Sequence, residues 1–547
     1  MMKKIRICCF LITLLSISWF SVLCQEVQLP LVPLPQKYTV KKGVFTISST
    51  TRITISSTID RSADMADFFG ELISKELSFK LPVMTNGFTK ARKNTITFLI
   101  DDKGTWNKEG YRLSITKRAI KISAGTTTGL FYGLQTLKQL MASEIVLKSG
   151  SSVKLPCIEI EDVPRFAYRG IMLDVARHFF PKEAIYKYIE LLSFYKFNHL
   201  HLHLTDDQGW RLEIKKYPEL TQIGSVREET LVGHMRDKPQ KFDGKKYGGY
   251  YTQEDMKEII ARAQKFHITI VPEIEMPGHS QAVLTSYPEL GCTGGPYKVR
   301  NIWGISDDVL CAGNEKTYIF LENVLAEVSD LFPGEFIHVG GDECPKVRWK
   351  SCAKCQAMIQ KQNLKDEHEL QSYLIKRASL FLKEKGKKLL GWDEILEGGL
   401  APDAAVMSWR GIKGGIEAAK MGHTVVMSPT TFCYLDYCQS ANKANEPLSI
   451  GGFLPLSKVY SFDPVPADFT KEEAAFVIGG QGNLWTEYID NESYLEYMLF
   501  PRALALSEVL WTPNERKDFV GFQNRVKMQF PILKKKNINF RESAEFE

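Results

Sequence analysis

Beyond residue 164 the chain alternates short apolar runs with longer stretches whose apolar residues recur at helical spacing. The runs, rich in β-branched residues, predict strands at Tyr168–Val175, His199–Thr205, Ile268–Met276, Phe336–Gly340, Lys388–Trp392, Ala404–Trp409, Thr424–Ser428 and Phe476–Gly480. Helical spacing predicts Lys182–Tyr195, Thr252–Phe266, Glu315–Leu331, Glu367–Glu384 and Gly411–Met421 between them. Thr252-x-x-Asp255 reads as a capping box at the start of the second helix. Eight strands alternating with helices predict an α/β fold, a (β/α)8 barrel over 164–512. The alternative is a doubly wound open sheet, but no strand leads into a Gly-rich dinucleotide loop. Residues 25–163 follow another rhythm. Val44–Ile47, Ile53–Ile55 and Thr95–Leu99 read as strands, and Tyr111–Thr116 with Ala119–Ser123 as a hairpin. With helical spacing at Leu130–Met141, this is a small α+β domain packed on the barrel. Residues 513–547 form an extension expected to pack on the barrel.

A barrel makes a sharp demand, because its functional loops all leave the C-terminal ends of the strands. Arg177 follows strand one, Asp206 and Asp207 strand two, and His279 strand three. Phe336-Ile337-His338-Val339-Gly340-Gly341-Asp342-Glu343 places two carboxylates at the mouth of strand four. Taken alone, that stretch reads equally well as a strand and a solvated acidic turn. The other seven strand ends weigh against the bland reading. Trp392 and Trp409 close strands five and six, Tyr434 and Asp436 follow strand seven, and Trp485 and Glu487 follow strand eight. Three tryptophans at one open end form flat walls for the C–H faces of a sugar, with carboxylates and Arg177 for its hydroxyls. Read as adjacent strand residues, Asp342 and Glu343 point to opposite faces and do not flank one bond as acid and nucleophile. Asp206 and His279 make a carboxylate–imidazole pair that fixes the ring. His199, His201 and His203 share one face of strand two and invite a metal reading. Strands five, six and eight end in Trp where further ligands belong, so we read the histidines as core and expect no metal.

Composition narrows the class. Of the net charge of +6, three charges belong to Lys3, Lys4 and Arg6 in an acid-free leader of 24 residues, leaving +6 − 3 = +3. That is no footprint for nucleic acid. The basic start and the apolar run Ile7–Leu23 read as a secretory signal peptide, 1–24. Two processing routes are open, cleavage after Cys24 or lipidation of Cys24, and both export the protein to a periplasmic, outer-membrane or extracellular location. Eight of the eleven cysteines lie beyond the leader and are available for pairing in an exported protein. Cys352-x-x-Cys355 on its own is weak evidence for zinc, since no second pair stands at finger spacing.

Seven stretches in order resemble the β-N-acetylhexosaminidases of glycoside hydrolase family 20. They are Leu173–Phe179, His203–Asp207, Glu275–His279, His338–Glu343, Gly391–Glu394, Tyr434–Asp436 and Gln481–Glu487. The resemblance implies an exo-acting, retaining, substrate-assisted hydrolase without cofactor, acting on glycans that end in N-acetylhexosamine. It implies Glu343 as general acid, Asp342 and Tyr434 on the acetamido group, and the three tryptophans around the sugar. Arg177, Asp436 and Glu487 would hold the hydroxyls, and Asp206 and His279 belong to the same pocket. It also implies a Cys292–Cys311 disulfide, contributing about 3 kcal/mol in the chain-entropy model. A second bond between Cys433 and Cys438 is a further expectation. A non-catalytic glycan-binding protein on the same barrel is the rival reading. Aglycone choice is expected to lie in the loops after strands one to four, above all Gly209–Gly249.

Overall fold

Eight parallel strands close into one barrel in chain order, the last pairing with the first. They are Tyr168–Asp174, His199–His203, Thr269–Glu273, Phe336–His338, Lys388–Trp392, Ala405–Ser408, Val425–Met427 and Val477–Leu484. This computed structural model describes residues 29–542 apart from 56–61, 85–91, 102–103, 105 and 148–151, so the expected signal segment lies outside the described residues. The five expected helices are present at Lys182–Phe194, Gln253–Lys265, Glu315–Leu331, Glu367–Glu384 and Lys413–Lys420. Thr252 and Asp255 form the expected reciprocal capping box.

The barrel interior has two levels, because alternate strand residues point inward. Tyr168, Val271, Phe336, Leu390, Ala405, Met407 and Val426 make an apolar core. Towards the strand C-termini, Glu273 carries the interior charge. Its carboxylate lies 3.2 Å from His201 Nε2 and 2.8 Å from His338 Nδ1, and it pairs with His203. Trp392 Nε1 donates to the same carboxylate at 2.7 Å. A buried anion surrounded by imidazoles and an indole keeps its desolvation cost offset.

The N-terminal domain is a seven-stranded sheet with the helix Thr127–Leu147 packed against it. Its seam with the barrel is polar at the centre. Asp162 accepts from Trp511 Nε1 at 3.0 Å, from Tyr111 Oη at 2.6 Å and from Lys196 Nζ at 3.0 Å. Arg169 reaches across to Glu109 through two bonds of 2.8 and 2.9 Å. The extension forms the helix Phe519–Lys535, which packs on Thr127–Leu147 and sends Arg525 to Glu508 of the barrel helix Arg502–Trp511. It therefore clamps both domains, not the barrel alone.

The disulfides are a correction. All eight described cysteines are free thiols. Cys311 has more than one partner, its sulfur lying 3.6 Å from Cys355 and 3.8 Å from Cys352. That crowding replaces the expected Cys292–Cys311 bond. Cys438 turns its sulfur to Ser449 Oγ at 2.9 Å, while Cys433 is buried at the end of a helical turn, so the second pair does not form either.

Candidate active site

Strand four ends at His338, and the chain then turns tightly through Gly340 (φ +65°), Gly341 (φ +93°) and Glu343 (φ +45°). At Gly340 a Cβ would stand 1.8 Å from Glu275 Oε2, so only glycine fits there. Glu343 and His279 (φ +46°) hold left-handed backbone without being glycine, a cost of about 1–3 kcal/mol each that gathers at functional sites. The turn also overrides strand alternation. Asp342 and Glu343 are not on opposite faces; their carboxylates lie 3.7 and 3.5 Å from the same His279 Nε2.

His279 is held from behind. Its Nδ1 lies 3.1 Å from Asp206 Oδ1, and Asp206 Oδ2 pairs with Arg177 at 2.8 Å and with His203 Nε2 at 2.8 Å. Burial alone would favour neutral imidazole, but the Asp206 charge overrides it and holds the His279 pKa well above the usual range. The imidazolium then faces the two carboxylates. Burial pushes Asp342 up to about 6, against the pull of His279.

Above the turn opens a cavity of about 460 Å3, within the range of small-ligand sites. Arg177, His279, Asp342, Glu343, Trp392, Trp409, Tyr434, Asp436, Trp485 and Glu487 all line it. Asp206 does not, being 1% exposed; it acts on the cavity only through His279 and Arg177. The tryptophans are fixed: Trp409 Nε1 donates to Glu394 at 2.8 Å, and Trp409 stacks on Tyr434 with ring centres 6.0 Å apart. The Arg177 guanidinium sits 4.9 Å from the centre of the Trp485 ring. Asp342 Oδ1 and both Asp436 oxygens are buried with no hydrogen-bond partner among the described residues. Buried acceptors aimed into a pocket call for ligand donors.

The sequence profile of the glycosyl hydrolase family 20 catalytic domain matches residues 166–514, and that of the family's domain 2 matches residues 28–163. The chain belongs to glycosyl hydrolase family 20. A β-hexosaminidase of Porphyromonas gingivalis is 42% identical over 98% of this chain, which spans 67% of that protein. One from Akkermansia muciniphila is 32% identical over 82% of this chain and 89% of its own length. Among solved structures, the family 20 exo-β-N-acetylglucosaminidase of Vibrio harveyi in complex with N-acetylglucosamine superposes with a TM-score of 0.80. It is 32% identical, over 94% of this chain and 78% of that one. The N-acetyl-β-hexosaminidase of Streptomyces plicatus, at 30% identity, gives the same TM-score over 94% and 97%. The chain is thus a glycoside hydrolase.

For a family 20 hydrolase the mouth of this cavity holds residues that sequence pattern does not mark. Tyr437, Lys443, Ile450, Gly451 and Gly452 come from the segment after strand seven, and Gly209–Gly249 adds only Arg236. The cavity lining thus draws on the segment after strand seven as well as on the loops of strands one to four, which supply Arg177, Arg236, His279, Asp342 and Glu343. Nothing in the sequence distinguishes Lys443 or Arg236 from ordinary solvated cations. Glu275 opens the Glu275–His279 stretch, where pattern alone gives it no role; its buried carboxyl is held well above the usual range by burial and by the Asp342 charge. It backs Gly340 as a neutral group.

A pH dependence arises from this pairing. On the expectation that Asp342 works as the anion, kcat/KM on an aryl substrate should fall below about pH 6 as it takes up a proton. His279→Gln removes the cation that holds this pKa down, and should move the acid limb upward. A limb that stays in place in the variant contradicts the pairing.

Proposed function

We propose that this family 20 enzyme removes terminal, non-reducing β-linked N-acetylglucosamine or N-acetylgalactosamine with retention, the substrate's own acetamido group acting as nucleophile. Glu343 protonates the glycosidic oxygen as the bond to C1 breaks. The acetamido carbonyl oxygen attacks C1 from the other face, and the product sugar becomes an oxazolinium ion. Asp342 accepts the acetamido N–H and stabilises the positive charge developing on that group. Tyr434 donates to the attacking oxygen and holds it in line. Water, deprotonated by Glu343, then opens the ring and returns the acid to its starting state.

One observation carries this division of labour. Carboxylates acting as acid and nucleophile stand across the scissile bond, about 5–5.5 Å apart, and those of an inverting pair about 6.5–9.5 Å apart. Asp342 and Glu343 instead sit side by side, their carboxylates 3.7 and 3.5 Å from one imidazole nitrogen of His279. A pair on one wall leaves the opposite face of C1 to a nucleophile brought by the substrate. The strained φ of Glu343 weighs against the rival binding-protein reading, since a binder gains nothing from a strained acid there.

Arg177, Asp436 and Glu487 hold the far hydroxyls and close the cavity behind a single sugar. Exo action is the consequence, and β-linked N-acetylglucosamine oligosaccharides test it. Product profiles should show only monosaccharide released from the non-reducing end. Oligosaccharides cut from the interior would contradict the reading, and no release at all would favour the binder. The natural aglycone is a glycan or glycoconjugate, reached after export through the leader 1–24. We place the mature protein outside the cytoplasm, with lipidation of Cys24 as one of its two routes; the mass of the mature N-terminus distinguishes the two.

A further inference from the structure

Four sulfurs converge on one side of the barrel mouth, away from the cavity. Cys292 and Cys311 lie in the loop after strand three; Cys352 and Cys355 lie at the start of the helix Ala353–Lys361 after strand four. The sulfurs all lie within 4.8 Å of one another. Cys311–Cys355, Cys311–Cys352 and Cys292–Cys355 are 3.6, 3.8 and 3.9 Å apart. A tetrahedral zinc with bonds of about 2.3 Å places its ligand sulfurs about 3.8 Å apart. We propose that Cys292, Cys311, Cys352 and Cys355 bind one zinc ion as a tetrathiolate site, stapling the loop after strand three to the helix after strand four.

The surroundings fit that role. Cys311 and Cys355 are fully buried and Cys352 nearly so, while Cys292 is half-buried and leaves a path for the ion. An all-sulfur set with no carboxylate suits a soft or borderline cation and not calcium or magnesium. Cys352 occupies the N-cap of a nine-residue helix without spending its side chain on a cap bond. The helix N-terminus stabilises negative charge there. At Gly313 a Cβ would stand 2.2 Å from the Lys354 carbonyl carbon and 2.3 Å from Cys355 N. The absent side chain lets the loop reach this helix end. Cys311 N donates to Leu290 O at 2.8 Å, and Thr317 Oγ1 donates to Cys311 O at 2.9 Å, so the ligand backbone is set before metal arrives.

Binding exchanges the thiol protons for the ion and releases them to solvent. Two positive charges on zinc against four thiolates leave a site of net charge 2 − 4 = −2. The staple also bears on catalysis. Trp349 Nε1 donates to Leu310 O at 2.9 Å and Arg348 pairs with Asp308 at 2.7 Å, so the same two segments are also joined on the chain that leads out of Glu343.

Inductively coupled plasma mass spectrometry on the full-length protein, purified without added metal or a chelating tag and dialysed exhaustively, tests this. Wild type and Cys157→Ser should each carry one zinc per chain, and Cys352→Ser should lose it. Should Cys352→Ser not fold, zinc-edge X-ray absorption on the wild type reads the same site, expecting four sulfurs at about 2.3 Å. Four metal-free thiols, disulfides among these four in a non-reducing mass spectrum, iron in place of zinc, or zinc retained in a folded Cys352→Ser would each overturn the proposal.

Discussion

Glu343→Gln should slow hydrolysis of glycosides with poor leaving groups by about 10²–10⁴-fold, the usual weight of a general acid. Activated aryl glycosides, whose leaving groups depart without a proton, should lose far less. The asymmetry comes from position. Glu343 lines the cavity with its side chain 37% exposed, where the proposed mechanism has the aglycone leave, and its carboxylate is 3.5 Å from His279. Glutamine keeps the shape and the contact but cannot give up a proton in the same way, so the thermal midpoint should stay where it is. Asp342→Asn is the contrast. Asp342 is buried with an unpartnered Oδ1 and in the proposed mechanism acts on ring closure, so its loss should slow both substrate types. Initial rates of both variants on paired substrates read the distinction. Equal losses for Glu343→Gln on both classes would move the acid elsewhere.

Much of this site can be read from the chain because a barrel converts position into function. Arg177, His279, Trp392, Tyr434 and Glu487 are far apart in sequence, yet all follow strand ends and all line one cavity. The elements themselves are legible where a single period dominates. Glu315–Leu331 and Glu367–Glu384 fall where helical spacing places them, residue for residue. Pattern fails where local chemistry overrides period. Strand four looks continuous to Gly340, but two glycines and a left-handed Glu343 turn the chain, and with it the directions of both carboxylates. Val153–Asp162 is a full strand absent from the expected elements: Pro156 argues against a strand, and the apolar alternation Val153, Leu155, Cys157 changes phase at Ile158 and Ile160. Pro156 is tolerated opposite Val44, where the partner strand shifts register after Lys41. The thiol cluster is hidden for a different reason. Cys352 and Cys355 form a local pair, but their partners Cys292 and Cys311 lie 311 − 292 = 19 residues apart in another loop, a spacing that only the folded barrel closes. Asp206 is linked to His279 as its sequence position suggests, yet burial removes it from the cavity wall.

The acetamido group itself tests the central claim. If the nucleophile is intramolecular, held between Asp342, Tyr434 and the indole walls, it acts at an effective concentration of about 10⁵–10⁸ M. Asp342 and Glu343 lie together against His279 Nε2, at 3.7 and 3.5 Å, so in the proposed mechanism neither replaces it from across the bond. The decisive measurement is therefore kcat/KM on a matched pair of aryl β-glycosides, the N-acetylglucosaminide and the plain glucoside. The glucoside has the same leaving group and ring stereochemistry and differs only at carbon two. We expect it to be hydrolysed at least about 10⁴-fold more slowly, a conservative share of that intramolecular advantage. Rates within about tenfold of each other, a difference of only about 1.4 kcal/mol, would mean that the enzyme supplies its own nucleophile, and would contradict the substrate-assisted mechanism.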